Sequence, residues 1–591
     1  MTELFEATGP EDHRLAVGLG GPVAAWAAFN AAGLLTAGDL RTAETICRLG
    51  GEESSDVALA VALLVRAARQ GSVCIDLREA PALLPGADWP DPAPWRAAVA
   101  ASPLTGVALR VEGDLLYLHR YWAEEGAVVA DLHDRLTRPQ PVVDEERLAA
   151  ALDRLFPADS AEQRAAAEAS ARRWTSVVTG GPGTGKTTTL ARLLAVLADQ
   201  AAPRGEPLRI ALAAPTGKAA ARMSQALARA VGDNALPFPE QDRAVVDGLT
   251  ASTLHRLLGW RPDNHSRFRH HRGNRLPHDV VVVDEASMVS LSMMARIVEA
   301  IRPDARLVLL GDADQLASVE AGAVLHDLVA GFRDRSPSPV SRLQTSHRFG
   351  ERIGELAAAV RDGRADDAWA ILRAGGPRVE LVDPDDLERL REIVTPPARA
   401  LRAAALAGDH AAAIRALHAH RLLCAHREGP HGVSRWNELV EQWLRAEEGL
   451  DWLPRHHPGQ PLLQTTNDYG LRLWNGDTGV VLGGGERQAL FDDGAGGRVV
   501  SLARLADVET AYALTVHRSQ GSEFDAVTVV LPDPGSRMLS RQLLYTALTR
   551  ASGQVRVVAR EESVTEAVRR QAGRATGLAA RLTGAFGTAG P

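Results

Sequence analysis

The segment Gly180-Gly181-Pro182-Gly183-Thr184-Gly185-Lys186-Thr187 narrows the possible folds of this chain more than any other. A short strand expected over residues 175–178 leads into it, and a helix-forming stretch over about 186–201 follows. In that setting a glycine-rich turn aims consecutive backbone N–H groups and the positive end of a helix at one point, which suits a phosphate chain. Lys186 is placed to reach the β- and γ-phosphates, and the Thr187 hydroxyl to ligand Mg²⁺. Such a loop needs a strand and a helix side by side, so the residues around it are committed to an α/β sheet.

Only two lysines occur, Lys186 and Lys218, although Lys and Arg together number 66. The positions that stay lysine are then those where a planar guanidinium does not replace a compact ammonium. Continuous apolar runs at 210–214, 280–283, 307–310 and 526–531 have the pattern of strands buried on both faces of a parallel sheet. Helical stretches alternate with them, at 217–231 for example, which predicts right-handed crossovers.

Carboxylates and arginines follow these strands. Asp284 and Glu285 end the 280–283 run, a pair suited to a Mg²⁺ ligand and an acceptor for the attacking water's proton. Gln315, in Gly311-Asp312-Ala313-Asp314-Gln315, is placed to orient that water. Arg348, in Ser346-His347-Arg348-Phe349, and Arg550, in Thr546-Ala547-Leu548-Thr549-Arg550, are candidate clamps on a transferring phosphoryl group. The loop Thr515-Val516-His517-Arg518-Ser519-Gln520-Gly521-Ser522-Glu523 gathers hydroxyls and an imidazole suited to a phosphodiester backbone.

A length of 591 residues implies several domains. Residues 1–145 carry no nucleotide signature and read as mainly helical, with a short strand near Leu115 running into a helix; a partner-docking role is expected. Helices are expected over 144–155 and from Ser160, with Ser160 as N-cap and Gln163 three residues on. Residues 401–417 read as one alanine-rich helix. Short strands and glycine turns over 460–505 suggest a small β-barrel insert, and the small-residue tail after Gly573 is expected to fray. The arginine- and histidine-rich stretch 260–278 fits either a basic hairpin on DNA or an exposed loop. A net charge of −8 requires that any nucleic acid be met in a locally positive groove or beside basic partners. With aromatics at 4%, strand contacts should rest on amides, hydroxyls and arginines. Three scattered cysteines, an acidic start and no long apolar span predict a cytoplasmic protein without a membrane segment.

Taken in order, residues 180–188, 215–220, 253–259, 283–288, 311–316, 346–349, 475–479, 515–524 and 545–550 resemble the motifs of superfamily 1B DNA helicases. Within them the likeness is to the RecD family, alpha subunits of exodeoxyribonuclease V (the RecBCD complex). The resemblance covers about 145–560. It implies an α/β fold of two RecA-like P-loop domains, at 146–340 and at 341–455 with 506–575, plus an SH3-like insert at 456–505, a docking domain at 1–145 and a flexible tail at 576–591. ATP and Mg²⁺ would sit between the lobes, held by residues 180–187, Thr188, Asp284, Glu285 and Gln315 of the first and by Arg348 and Arg550 of the second. Gln163 would meet the adenine edge, and Glu523 joins the nucleotide-binding set. Pro215, Thr216, Lys218, His255, Thr515, His517 and Ser519 fall where the family touches single-stranded DNA. The implied activity is 5′→3′ translocation on single-stranded DNA with unwinding of double-stranded DNA at breaks, beside beta and gamma subunits. No nuclease constellation is found, so cutting would belong to another subunit. Arg518 stands where the family commonly has lysine; arginine serves equally if the cation only meets phosphate. A stand-alone RecD-like repair helicase is the competing expectation, although the helix-hairpin-helix repeats of that group are not seen. A DNA-binding structural subunit with a silent ATPase is a further one, against which the intact motif set speaks.

Overall fold

The computed structural model describes residues 12–205, 207–232, 238–261, 264–345, 350–449, 455–484, 487–493 and 496–586. The N-terminal region packs helices Ala37–Gly50 and Ser55–Arg69 around a core that includes Leu59, Leu63 and Trp95. Beside them lies a three-stranded antiparallel sheet of β1 (Cys74–Asp76), β2 (Leu109–Glu112) and β3 (Leu115–Leu118), with β3 in the centre. The next helix, His119–Thr137, leaves this unit: Val128 and Leu132 enter the same core as Val281, Leu309 and Phe332. Arg135, 3% exposed, ties it down by donating to the carbonyls of Trp174 and Arg302 and to the Thr175 hydroxyl.

The first lobe is a six-stranded parallel sheet. Its strands are β4 (Thr175–Gly180), β5 (Ile210–Ala214), β6 (Ala251–Thr253), β9 (Val280–Val283), β10 (Arg306–Gly311) and β11 (Val340–Leu343). They run in the order β11-β4-β10-β9-β5-β6, and between β6 and β9 lies a hairpin of β7 (Trp260–Arg261) and β8 (Asn264–Phe268). All four valines of β9 are fully buried, as helices on both faces require. Past the hairpin, the basic stretch serves the fold: Arg272 pairs with Asp131 at 2.7 Å and Arg275 donates to the Ile301 carbonyl.

The second lobe begins with β12 (Val379–Val382) and β13 (His420–Cys424). The chain then builds an antiparallel sheet of β14 (Pro461–Gln464), β15 (Thr478–Val481), β16 (Gln488–Phe491), β17 (Arg498–Ser501) and β18 (Val508–Thr510), in the order β17-β16-β15-β14-β18. It returns through β19 (Ala513–Thr515), β20 (Phe524–Val530) and β21 (Ala551–Val558) to complete a parallel sheet ordered β12-β21-β20-β13-β19. The last insert strand ends at Thr510, beyond the expected limit of 505, because β18 pairs with β14 and closes that side of the sheet.

Three expectations are corrected. Residues 401–417 are not one helix: Gly408 turns left-handed (φ 67°), and Asp409 caps a new helix, His410–Ala419, by accepting from the Ala412 N–H. Ser160 holds the expected N-cap position of the helix Ala161–Ala171, but its side chain makes no cap bond. The tail is not frayed over its described part. Residues Leu578–Ala585 form a helix whose Leu578 and Leu582 are buried in the first lobe's core. Val73 and Gly577 anchor its approach, with Val73 N–H donating to the Ala575 carbonyl and Gly577 N–H to Glu125. Glycine fits at 577 because side chains close over it; a Cβ there would fall 1.9 Å from the Tyr117 hydroxyl.

Candidate active site

The glycine loop spans from the end of β4 to the helix Lys186–Ala201, as its local pattern requires. Gly183 and Gly185 are left-handed (φ 79° and 82°), a conformation side chains rarely adopt. Gly180 and Gly181 are needed for space, since a Cβ would come 2.7 Å from the Leu343 carbonyl oxygen and 2.9 Å from the Tyr545 hydroxyl. The Lys186 ammonium donates to the Gly180 and Gly181 carbonyls at 2.6 and 3.0 Å, and the Thr184 hydroxyl to Gly181 at 2.8 Å. Gln163 closes one side by donating to the Thr184 carbonyl at 3.3 Å.

β9 and β10 deliver the carboxylates at their C-terminal ends, beside the loop, where ligands of parallel sheets gather. Burial and the neighbouring Glu285 push the Asp284 carboxyl up, with the Lys186 charge opposing. Glu285 itself sits at φ 51°, a strained position for a side chain and one that functional sites retain. Burial also raises Asp312, whose carboxylate accepts from Gln315 at 3.0 Å and from the Tyr545 hydroxyl at 3.2 Å.

That last bond crosses to the second lobe, and others join it. Leu316 N–H donates to the Thr546 hydroxyl, and Gln520 donates to the Leu316 carbonyl, both at 2.9 Å. Arg550, 5% exposed, donates to Gln315 Oε1 at 2.9 Å while its other nitrogens bond the Thr546 and Ser522 carbonyls. Lys186, Thr187, Thr188, Asp284, Glu285, Gln315, Glu523 and Arg550 line one cavity of about 1480 Å³ between the lobes. Gly183, Gly185, Pro182 and Gln163 line it too. Arg348 lies outside the described residues. Its approach is held by Glu162, whose carboxylate accepts from the N–H groups of Gln344 and Thr345.

The glycine cradle fits a nucleotide's phosphates, and the oxygen donors Thr187 and Asp284 at its mouth fit a hard cation such as Mg²⁺.

The expected DNA contacts divide. Pro215 and Thr216 follow β5, and the Thr216 hydroxyl accepts from the Ala219 N–H to start the helix Gly217–Gly232. Lys218 is half-buried, donates to the Gly476 carbonyl at 2.7 Å, and is driven down in pKa by burial and by Arg222. His255 stands edge-on to Phe268, and burial lowers its pKa as it does that of His517. The Thr515 hydroxyl accepts from the Arg518 N–H. Ser519 is not offered to a strand: it is fully buried, and its hydroxyl donates to the Val516 carbonyl, closing the loop's own turn. Arg518 pairs with Glu509 at 2.7 Å.

Tyr545, Thr546 and Gln520 were not singled out in the sequence. The one available signal was helical spacing, which puts Thr546 one turn before Arg550. Trp474 was missed as well; its side chain packs against Gly217, so the insert touches the first lobe.

Residues 159–383 match the AAA domain family, 510–558 the UvrD-like helicase C-terminal domain, and 31–117 the N-terminal domain of RecBCD enzyme subunit RecD. The chain is 54% identical to the RecBCD enzyme subunit RecD of Mycolicibacterium smegmatis, over 93% of this chain and 98% of that one. It is 54% identical to the protein of that name from Mycobacterium tuberculosis, over 94% and 96%. Against the Haemophilus influenzae protein of that name the identity is 32%, over 85% and 86%.

Proposed function

The chain belongs to the RecD family of RecBCD enzyme subunits, and from that premise we propose that it is the 5′→3′ DNA motor of an exodeoxyribonuclease V complex. It would use ATP to unwind broken duplex ends for recombination repair. The observation that carries this is the bond from Arg550 to Gln315, made between lobes inside the cavity that also holds Lys186 and Asp284. A cleft whose two walls carry different parts of one hydrolytic set opens and closes as the nucleotide changes.

In this mechanism the loop 180–185 wraps the phosphates and Lys186 neutralises their charge. Thr187 and Asp284 would hold a Mg²⁺ ion, which would supply positive charge against the phosphates. Glu285 accepts the proton of the attacking water, which Gln315 orients. Arg550 stabilises charge on the transferring phosphoryl group from the opposite wall, and Arg348 is assigned a second such role. Gln163 faces the base. Since Tyr545, Thr546 and Gln520 bond the residues around Gln315, a change at the phosphate reaches the second lobe directly. Strand contacts are assigned to Pro215, Thr216, Lys218, His255, Thr515 and His517. The sheet at 461–510 is proposed to close as an SH3-like unit.

RecB and RecC are the proposed partners, with the N-terminal domain at 1–145 as the docking unit and DNA cleavage in another subunit. Among the described residues no helix is long and apolar enough to cross a membrane; a cytoplasmic location is inferred. ATP turnover of the purified chain, with and without single-stranded DNA, tests the proposal. Lys186→Ala should abolish turnover while its thermal melt stays that of the parent. Unimpaired turnover in that variant, or a parent chain indifferent to DNA, refutes it.

A further inference from the structure

We propose that one end of the insert sheet is a seat for a single unstacked nucleobase, an inference that rests on the DNA motor function above. The segment after β14 and the turn before β18 enclose a cavity of about 210 Å³, lined in part by Gln464, Thr466, Asp468, Tyr469 and Asp507. Gln464 is 3% exposed, it lines this cavity, and its Oε1 has no hydrogen-bond partner. A buried acceptor left so is costly unless something entering the cavity supplies a donor. Its polar neighbours are engaged: the Thr466 hydroxyl donates to Asp507 at 2.8 Å, and Asp468 accepts from the Leu471 N–H at 2.8 Å.

Tyr469 stands at the rim, 74% exposed, in a protein with few aromatic side chains. One edge is braced, because the ring meets Trp474 at 5.5 Å and 76°, and Trp474 lies on Gly217. Gly476, two residues on, accepts from Lys218. The rim therefore adjoins residues 215–218, so a strand lying along that segment passes the tyrosine ring. A base turned out of the strand there can stack on the ring and present its edge to Gln464.

The lining also sets a preference. The unpartnered Gln464 oxygen accepts an exocyclic amino hydrogen of adenine, cytosine or guanine. Thymine has no exocyclic amino group, and its one edge donor, N3–H, is flanked by two carbonyl oxygens that would face the lining carboxylates. The space suits one base and excludes a base pair.

Fluorescence anisotropy with labelled oligo(dC), oligo(dA) and oligo(dT) tests this on the full chain, alongside DNA-stimulated ATP turnover of the parent. The parent should bind oligo(dC) and oligo(dA) several-fold more tightly than oligo(dT). Tyr469→Ala should weaken oligo(dC) and oligo(dA) about 5- to 100-fold, the range expected for one lost stacking contact. Tyr469→Phe should keep the preference, and Gln464→Leu should erase it. Equal affinity for the three oligonucleotides, or a preference that survives both Tyr469→Ala and Gln464→Leu, overturns the seat while leaving DNA-stimulated turnover in place. A parent chain whose turnover no oligonucleotide stimulates overturns the motor function itself, and the seat with it.

Discussion

Truncating Arg550 to alanine separates catalysis from binding. Its guanidinium is held on the second lobe by the Thr546 and Ser522 carbonyls, and it reaches Gln315 of the first lobe at 2.9 Å. The fork is thus oriented before any substrate arrives, at a site 5% exposed, and little reorganisation is needed when charge develops on the phosphoryl group. A unit charge about 4 Å from the developing charge, at an effective dielectric of about 20, is worth about 4 kcal/mol. That corresponds to about 10³-fold in rate, the lower end of what arginine clamps supply elsewhere. The P-loop and Lys186 keep their hold on the phosphates, so KM for ATP should change by about threefold or less, roughly 0.6 kcal/mol. Arg550→Lys keeps a charge but loses the fork that spans Gln315 and the two carbonyls, and should recover little. The variant also leaves Gln315 Oε1 without this donor, which costs about 1–3 kcal/mol of stability. Steady-state ATP turnover under saturating single-stranded DNA, with a calorimetric melt of each variant, gives all three quantities. A kcat within tenfold of the parent, or kcat and KM changed by the same factor, refutes the clamp.

Three further outcomes follow from packing and burial. Gly217→Ala would place a Cβ 2.5 Å from Trp474 Cγ; an overpacking cost of about 1–3 kcal/mol should appear as an earlier melting transition, and an unchanged melt would mean the insert does not rest there. Leu582→Ala, at a fully buried position of the C-terminal helix, should cost about 2–5 kcal/mol; denaturant titration reads this, and a variant as stable as the parent would restore the frayed tail. Burial pushes Asp327, which accepts from Thr576 at 2.9 Å, up to about 7. Because its folded pKa lies above the unfolded value, its contribution is fully present below about pH 4 and is lost as pH rises through about 7. Asp327→Asn should flatten that dependence and be the more stable form at pH 8; parallel stability–pH curves would contradict this.

Much of the first lobe was legible because its signals are local. The strands at Ile210–Ala214 and Val280–Val283 and the helix Lys186–Ala201 lie where apolar runs and the glycine turn put them. The break at Gly408 was harder to see, since alanine-rich sequence continues on both sides and the turn depends on one left-handed residue and the cap at Asp409. Ser519 looked like its neighbours in a hydroxyl-rich loop; the turn it closes buries it. The tail's small residues gave a disorder signal by composition, yet they fit a narrow path between elements more than 400 residues away, as with Gly577 on Glu125.

Sequence alone determined the chemistry available: a glycine turn before Lys186, carboxylates after an apolar strand, and an arginine in the last motif. These follow from backbone sterics and side-chain type, which act over a few residues. Which of those groups meet was decided by the tertiary structure. Gln315 and Arg550 stand 235 positions apart, and Lys218 and Gly476 stand 258 apart. Such pairs form only when separately folded sheets bury complementary surfaces, and the burial that joins them also moves the protons on Asp284, Asp312 and Lys218.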